Sequence, residues 1–417
     1  MQIKAVLKKG LDMKMCDPSL QTSPHTRNIC NLLIMKLLLL FFLILISSSC
    51  RIKEAPQNDD THPAVIDITT IIDTVSISLD EETDRCQIVF LETNDLALVG
   101  EGSKYTYVTK DYIIIENSSG LLLFNRTGKF LRQLMRKGKG PDEFINLSPG
   151  RPNSTDLFFL DNSKDRKRIY QCNFKSKKVT SFPLAHVGNF HDISIKADST
   201  LVVINDVIEN NKFQCQIFHQ DRKGNELFHR KIGTKVSLKS RMINGAYTIR
   251  NYKNESVIAT PGCDTLFVFS DDVLKPVALF SNIPIYINGK EYEDFIKLTF
   301  CHYNDSAIIL RKEQLSITKS RIKPISNEII LYDQNSSQTE IVKSFTLNEL
   351  GLEIPSQRVN LESELYGMAE FNSLEFIDLL QTAINKRGLQ QNIRKRLQLM
   401  KERIRINDNP IIIIWNL

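Results

Sequence analysis

An all-β fold, a β-propeller, is predicted for residues 76–417 by three observations. Short runs rich in Ile, Val, Leu, Phe and Tyr alternate with clusters of Asn, Asp, Gly, Ser and Lys, the composition of strands and the turns between them. The runs group in fours at a spacing of roughly 40–50 residues, the period of propeller blades. The chain ends on Ile411–Leu417 (IIIIWNL), a strand so apolar that an unpaired edge would invite aggregation. A β-sandwich offers similar strands but need not repeat at this longer period.

Taken in order, the first apolar run is Gln87–Leu91 (QIVFL). The clearest four-strand unit spans Tyr107–Leu134, where Asn117–Gly120 and Asn125–Gly128 supply the residues that tight hairpins require. Further units cover about Leu157–Leu184, His191–Ile232, Tyr247–Phe280 and Lys297–Phe345, with Asn173–Lys178, Asp221–Asn225 and Asp333–Ser337 as turns. Asn372–Ile406 departs from the pattern. Asn372 and Glu375 form a capping box, and Phe376, Leu380, Ala383, Ile393, Leu397, Met400 and Ile404 make a helical stripe that Gly388 divides. Its opposite face carries Lys386, Arg387, Arg394, Lys395, Arg396, Lys401 and Arg403 and is expected to be solvated. Asn407–Pro410 then turns the chain into the closing strand 411–417, so the helices are an insertion in the last blade.

Upstream of the ring, Met35–Cys50 (MKLLLLFFLILISSSC) sets one lysine before ten apolar residues, three serines and a cysteine, the layout of a secretory leader. Ten residues rise about 15 Å as a helix, half a bilayer core, too short to span it. The leader, residues 35–49, resembles a bacterial lipoprotein signal with Cys50 as the lipidated residue, although Ser47 stands where such signals usually carry Leu. An ordinary leader cut near Ser49 and an uncleaved anchor are the alternatives. Translation is expected to start at Met35, with residues 1–34 a mis-annotated upstream segment. Residues 50–75, with Pro56, Pro63 and Asp59–Asp60, are expected to form a flexible tether.

The formal charge of +6 misleads, because six of the 54 Lys/Arg and two of the 48 Asp/Glu precede Cys50, leaving the remainder at +2. Nucleic-acid binding therefore loses its electrostatic support. The cysteines after Cys50 are Cys86, Cys172, Cys215, Cys263 and Cys301, odd in number, far apart and without a C-x-x-C pair, which argues against a zinc site or a disulfide scaffold. Cys215 sits in an alternating strand pattern and is expected to be a buried thiol.

One motif is specific. Gly128-Lys129-Phe130-Leu131 is followed by Arg136, Lys137, Gly138, Lys139, Gly140, Pro141, Asp142, Glu143 and Phe144. This G-K-F-L and G-x-G-P-x-E-F arrangement, together with Asp408-Asn409-Pro410 before the last strand, resembles the six-bladed β-propeller lipoproteins of Bacteroidetes, relatives of NHL-type propellers. Asp142 replaces the glycine usual there. The resemblance covers about residues 77–417 and implies six blades, where spacing alone would permit seven. The loop has two readings: a tight crossover in which Glu143 bonds backbone amides, or a ligand-facing loop whose amides and cations meet an anion.

Catalytic patterns are absent. His186, His191, His219 and His302 form no H-x-x-x-H, no G-x-S-x-G elbow occurs, and no Lys-Ser/Thr follows the glycines as in a P-loop. Asp161, Asp192, Asn205, Asp264 and Asn304 lie near strand ends and are expected to be turn residues. No cofactor, metal or nucleic acid is expected, and the chain is expected to be a monomer. Asp73-Thr74-Val75, Asp264-Thr265-Leu266 and Asp305-Ser306-Ala307 fit a short pattern resembling Bacteroidetes O-glycosylation sites. The function expected is a membrane-anchored cell-envelope lipoprotein whose propeller binds a small molecule, a glycan or an envelope protein. A metal-dependent lactonase-like hydrolase and a structural docking subunit are the alternatives.

Overall fold

A computed structural model describes residues 63–417, apart from 69–70, 72, 80–85, 101–104, 141, 149, 162, 164–167, 187, 210–211, 238–247, 260–264, 282–293, 319–320 and 362–364. Residues 1–34, the leader 35–49, Cys50 and most of the expected tether lie outside the described residues, as do Pro141, Cys263 and Asp264.

Six sheets, each built on four antiparallel strands, form a six-bladed β-propeller. Blade 1 holds Thr106–Val108, Tyr112–Glu116, Gly120–Asn125 and Phe130–Lys137, from the inner strand outwards. Blade 2 holds Arg151–Pro152, Asp156–Asp161, Arg168–Asn173 and Val179–Phe182. Blade 3 holds Asn189–Ile195, Leu201–Glu209, Lys212–Gln220 and Glu226–Ser237. Blade 4 holds Thr248–Tyr252, Glu255–Ala259, Thr265–Ser270 and Val273–Ser281, and blade 5 Asp294–Tyr303, Ala307–Thr318, Arg321–Asp333 and Gln338–Leu347. Blade 6 takes Val359–Asn360, Tyr366–Phe371 and Ile411–Asn416 from the C-terminal end and Gln87–Phe90 from the N-terminal end. Ile411↔Phe90 through Ile414↔Gln87 pair antiparallel, so the closing strand is held between two others and the ring is sealed.

The core is divided among the blade interfaces, which explains why many strands are apolar on both faces. In Tyr112–Glu116, Ile113 and Ile115 pack towards blade 6 with Ile412 and Ile414, while Ile114 packs towards blade 2 with Leu157 and Phe159. A strand with both faces covered needs no polar alternation.

The helical insertion follows expectation. Helix α1 (Ser373–Ile384) carries the reciprocal Asn372–Glu375 capping box, and α2 (Gln391–Glu402) follows after Gly388, whose φ is +82°. Phe376, Leu380, Ala383 and Leu397 are buried with residues of blades 5 and 6. Asn409 fixes the end of the insertion. Its Nδ2 donates to the carbonyls of Glu92 at 2.7 Å and Ala97 at 2.5 Å, and its Oδ1 accepts from the Val99 amide at 2.9 Å.

The start of the ring differs from expectation. Ala64–Asp67, within the stretch read as tether, is a strand parallel to the outer strand of blade 4, and Thr74–Ser78 lies parallel on blade 5. Residues 64–90 therefore add an outer strand to blades 4, 5 and 6 in turn. Burial is the cause: Ile66 and Ile68 are fully enclosed among Val257, Leu266 and Phe280.

Candidate functional site

Short inner strands bring charged residues from successive blades to the centre of the ring. Asp192, on the inner strand of blade 3, is buried and pairs with Arg151 of blade 2; Arg250 of blade 4 stands 3.4 Å from the same carboxylate oxygen. The Asp192 carboxylate also accepts from the amides of Ile193 and Ile249, each at 2.9 Å. Arg250 Nε donates to the Cys301 carbonyl of blade 5 at 3.2 Å, and the Gly150 amide donates to Tyr107 Oη of blade 1 at 2.9 Å. One network thus ties five blades together. Burial pushes the Asp192 carboxyl up from its ordinary value, and the two guanidiniums and two amides oppose that shift. Arg151 Nε is buried and meets no hydrogen-bond partner among the described residues.

Arg151 also lines a cavity of about 1380 Å³ that runs along the inner strands of blades 1, 2 and 6 and reaches blades 3 and 4. Tyr105, Tyr107 and Tyr366 give it aromatic walls, with Thr106, Asn153, Ser154, Asn251 and Asn360 beside them. Lys110, Lys196 and Arg222 join Arg151 as cations. Arg222 is held in place: its guanidinium lies 5.3 Å from the Phe182 ring centre and 5.8 Å from that of Phe158, and its Nη1 donates to Gln171 Oε1 at 3.2 Å. The carboxylates at the cavity are engaged by protein donors. Glu370 accepts from the Thr106 hydroxyl at 2.9 Å, Glu375 pairs with Arg358, and Asp408 accepts from the Arg405 amide at 2.8 Å. Leu98, Leu365, Leu374 and Ile406 are exposed aliphatic residues in the lining. An aromatic, amide-rich and cationic cavity suits a polar anion.

The motif loop lies elsewhere, since none of the described residues among 128–144 lines the cavity. Glu143 Oε2 accepts from the Gly140 amide at 2.7 Å, and the Gly138 amide donates to the Phe144 carbonyl at 2.8 Å. A Cβ on Gly138 would stand 2.2 Å from the Glu143 carboxylate, so the glycines cradle that side chain. Glu143–Phe144 pairs parallel with Arg136–Lys137, and Phe144 is buried in the interface with blade 2. Arg136 and Lys139 are exposed, and Lys137 Nζ reaches the buried Glu116 at 3.6 Å. Gly128 has φ +86°, and a Cβ there would meet the Phe90 carbonyl at 2.1 Å, so this turn lies close against the outer strand of blade 6. The loop's amides are therefore engaged by its own Glu143 and Phe144.

Other expected positions divide. Asn304 is a turn residue, its Oδ1 accepting from the amides of Ser306 at 2.9 Å and Ala307 at 2.8 Å. Asp161, the buried last residue of its strand, accepts from the amides of Ile145 at 3.1 Å and Ser163 at 3.0 Å in the loops beside it. Asp192 and Asn205 are also buried within strands, and Asp192 is the central carboxylate. Cys215 is fully buried; burial also pushes the Cys172 thiol up to about 12. Thr265 is buried, whereas Thr74 and Ser306 are exposed. His302, on the inner strand of blade 5, is pushed down to about 4 by burial and, secondarily, by Arg250. Sequence reasoning passed over Arg151 and Arg250; the signal was their shared place on the first strands of blades 2 and 4, either side of Asp192 in blade 3.

Fold and cavity define a six-bladed propeller with a cavity of about 1380 Å³ along its inner strands. The chain belongs to the family described as domain of unknown function (DUF4934), whose model matches residues 63–416 and so includes the outer strand at 64–67. A protein of Bacteroides fragilis described as exported shares the fold, with a TM-score of 0.57 and 15% identity over 85% of this chain and 100% of that one. A DUF4221-family member from Bacteroides vulgatus gives 0.40 at 11% identity, covering 80% and 98%. Virginiamycin B lyase from Staphylococcus aureus gives 0.37 at 10% identity, covering 80% and 99%. No curated protein matches the chain. Among the described residues no helix is long and apolar enough to cross a membrane.

Proposed function

We propose that this protein is an exported, lipid-anchored propeller of the cell envelope that binds a small anionic ligand, an acidic glycan fragment in the first instance, in its central channel. The observation that carries the binding role is the cavity of about 1380 Å³, where tyrosines and amides surround Lys110, Arg151, Lys196 and Arg222. Tyrosine faces pack on sugar rings while their hydroxyls stay polar, and cations select a carboxylate or sulfate. Binding is favoured over hydrolysis because the central carboxylate, Asp192, is committed to Arg151 and Arg250 rather than aimed at the cavity. The leader and Cys50 support export and anchoring, and the description of the Bacteroides fragilis neighbour as exported supports export alone.

Two experiments test this reading. Calorimetric titration with uronate-bearing oligosaccharides should give binding that neutral oligosaccharides of equal length lack. Lys196→Ala and Tyr366→Ala should each weaken it roughly tenfold, a loss of about 1.4 kcal/mol. Equal response to acidic and neutral probes, or unchanged affinity in both variants, would contradict the proposal. For the anchor, metabolic labelling with a fatty-acid analogue should mark the wild type and not Cys50→Ala; an unlabelled wild type ends the lipoprotein reading.

A further inference from the structure

We propose that His186, Glu226 and His229 form a divalent transition-metal site, best suited to Zn²⁺, on the outer edge of blade 3. The site is separate from the central channel and does not rest on the channel's proposed role. One ligand atom from each of the three residues lies within 4.8 Å of the other two. His186 Nε2 contacts Glu226 Oε2, and His229 Nδ1 stands 3.7 Å from that same oxygen. The two imidazoles lie with ring centres 4.3 Å apart and planes at 36°. His229 therefore turns Nδ1 towards the carboxylate, and its other ring nitrogen, Nε2, is buried and meets no hydrogen-bond partner among the described residues.

The backbone is arranged to converge these groups. Residues three apart on a regular strand face opposite sides of the sheet. Here Gln220 pairs with Glu226 and His219 with Phe228, so Leu227 is an extra residue, a β-bulge. The bulge resets the alternation and returns Glu226 and His229 to one side. His186 arrives from the segment between blades 2 and 3, and Gln220 locks that segment. Fully buried Gln220 accepts from the Ala185 amide at 2.8 Å and donates to the Pro183 carbonyl at 2.9 Å. The His186 ring also rests edge-on against buried Phe218, with centres 5.1 Å apart. The residue that pairs with Glu226 in the sheet therefore also positions His186.

Two imidazoles and one carboxylate are a borderline donor set that suits Zn²⁺ and leaves a coordination position for water. Mg²⁺, which prefers oxygen ligands, should bind poorly. The full chain, stripped with chelator and titrated with ZnCl₂ by calorimetry, should take up the metal one-to-one and ignore MgCl₂. Co²⁺ substitution should give visible bands of nitrogen–oxygen ligation. His186→Ala and His229→Ala should each weaken Zn²⁺ binding by at least roughly tenfold, and Gln220→Ala should weaken it less, as expected of a second-sphere support. Circular dichroism confirms that the variants are folded; should His186→Ala unfold, Glu226→Gln supplies the same test. No one-to-one uptake by the wild type, or wild-type affinity in folded His186→Ala and His229→Ala, would overturn the site.

Discussion

The inner face and the outer rim of the ring each gather basic residues around one carboxylate, and burial separates their roles. At the centre, Asp192 is 1% exposed and its partners Arg151 and Arg250 are 4% and 3% exposed, so each charge depends on the others for solvation. On the rim, the Glu226 side chain is 41% exposed and those of His186 and His229 are 28% and 22% exposed, so water can replace any member. A buried ion network holds the blades in register because breaking it strands a charge, whereas an exposed one contributes little to stability and remains open to an outside ligand.

Four substitutions sharpen this contrast. Asp192→Ala should have the largest effect, losing about 3–5 kcal/mol in denaturant unfolding, because two buried guanidiniums lose their counter-charge. A loss below that of an ordinary surface change would show that the centre is not electrostatically coupled. Asn409→Ala should follow, at about 2 kcal/mol, since the carbonyls of Glu92 and Ala97 and the Val99 amide lose their partner in the ring-closing crossover.

His302 gives the inner face a pH signature. Its folded value of about 4 lies below the ordinary 6.5, so the unfolded chain binds more protons between these limits. Stability should therefore fall as pH drops from 6.5 towards 4. His302→Gln should remove about 1–2 kcal/mol of that fall, read from chemical denaturation across the range. An unchanged acid limb would place the pH dependence elsewhere. At the small end, Glu226→Gln without metal should change stability by no more than about 0.5 kcal/mol, and a larger loss would mean that the rim triad supports the fold.

Much of the architecture was legible because it depends on local chemistry. The Asn372–Glu375 box, the Gly388 break and the run Ile411–Ile414 each state their structure within a few residues. The strand at Ala64–Asp67 escaped notice because it is short, follows a proline-bearing polar stretch and gains its burial only from blade 4. The site was less legible for the same reason of distance. Arg151 stands on a two-residue strand, and its partner Asp192 and the second guanidinium on that carboxylate, Arg250, come from other blades. His186 and Glu226 are 40 residues apart, and the bulge at Leu227 defeats the alternation by which a strand face is read. The G-x-G-P loop was conspicuous in sequence because tight backbone geometry limits its residues, and its glycines hold Glu143 away from the channel.

The central claim is that ligand recognition belongs to the channel. Hydrogen exchange, read with and without a saturating uronate-bearing oligosaccharide, tests it most directly. The account predicts new protection confined to the inner strands and their turns, at Tyr105–Lys110, Arg151–Ser154, Ile195–Ser199 and Tyr366–Met368. Protection centred on residues 136–144 or on the outer edge of blade 3, with the channel unchanged, would contradict it.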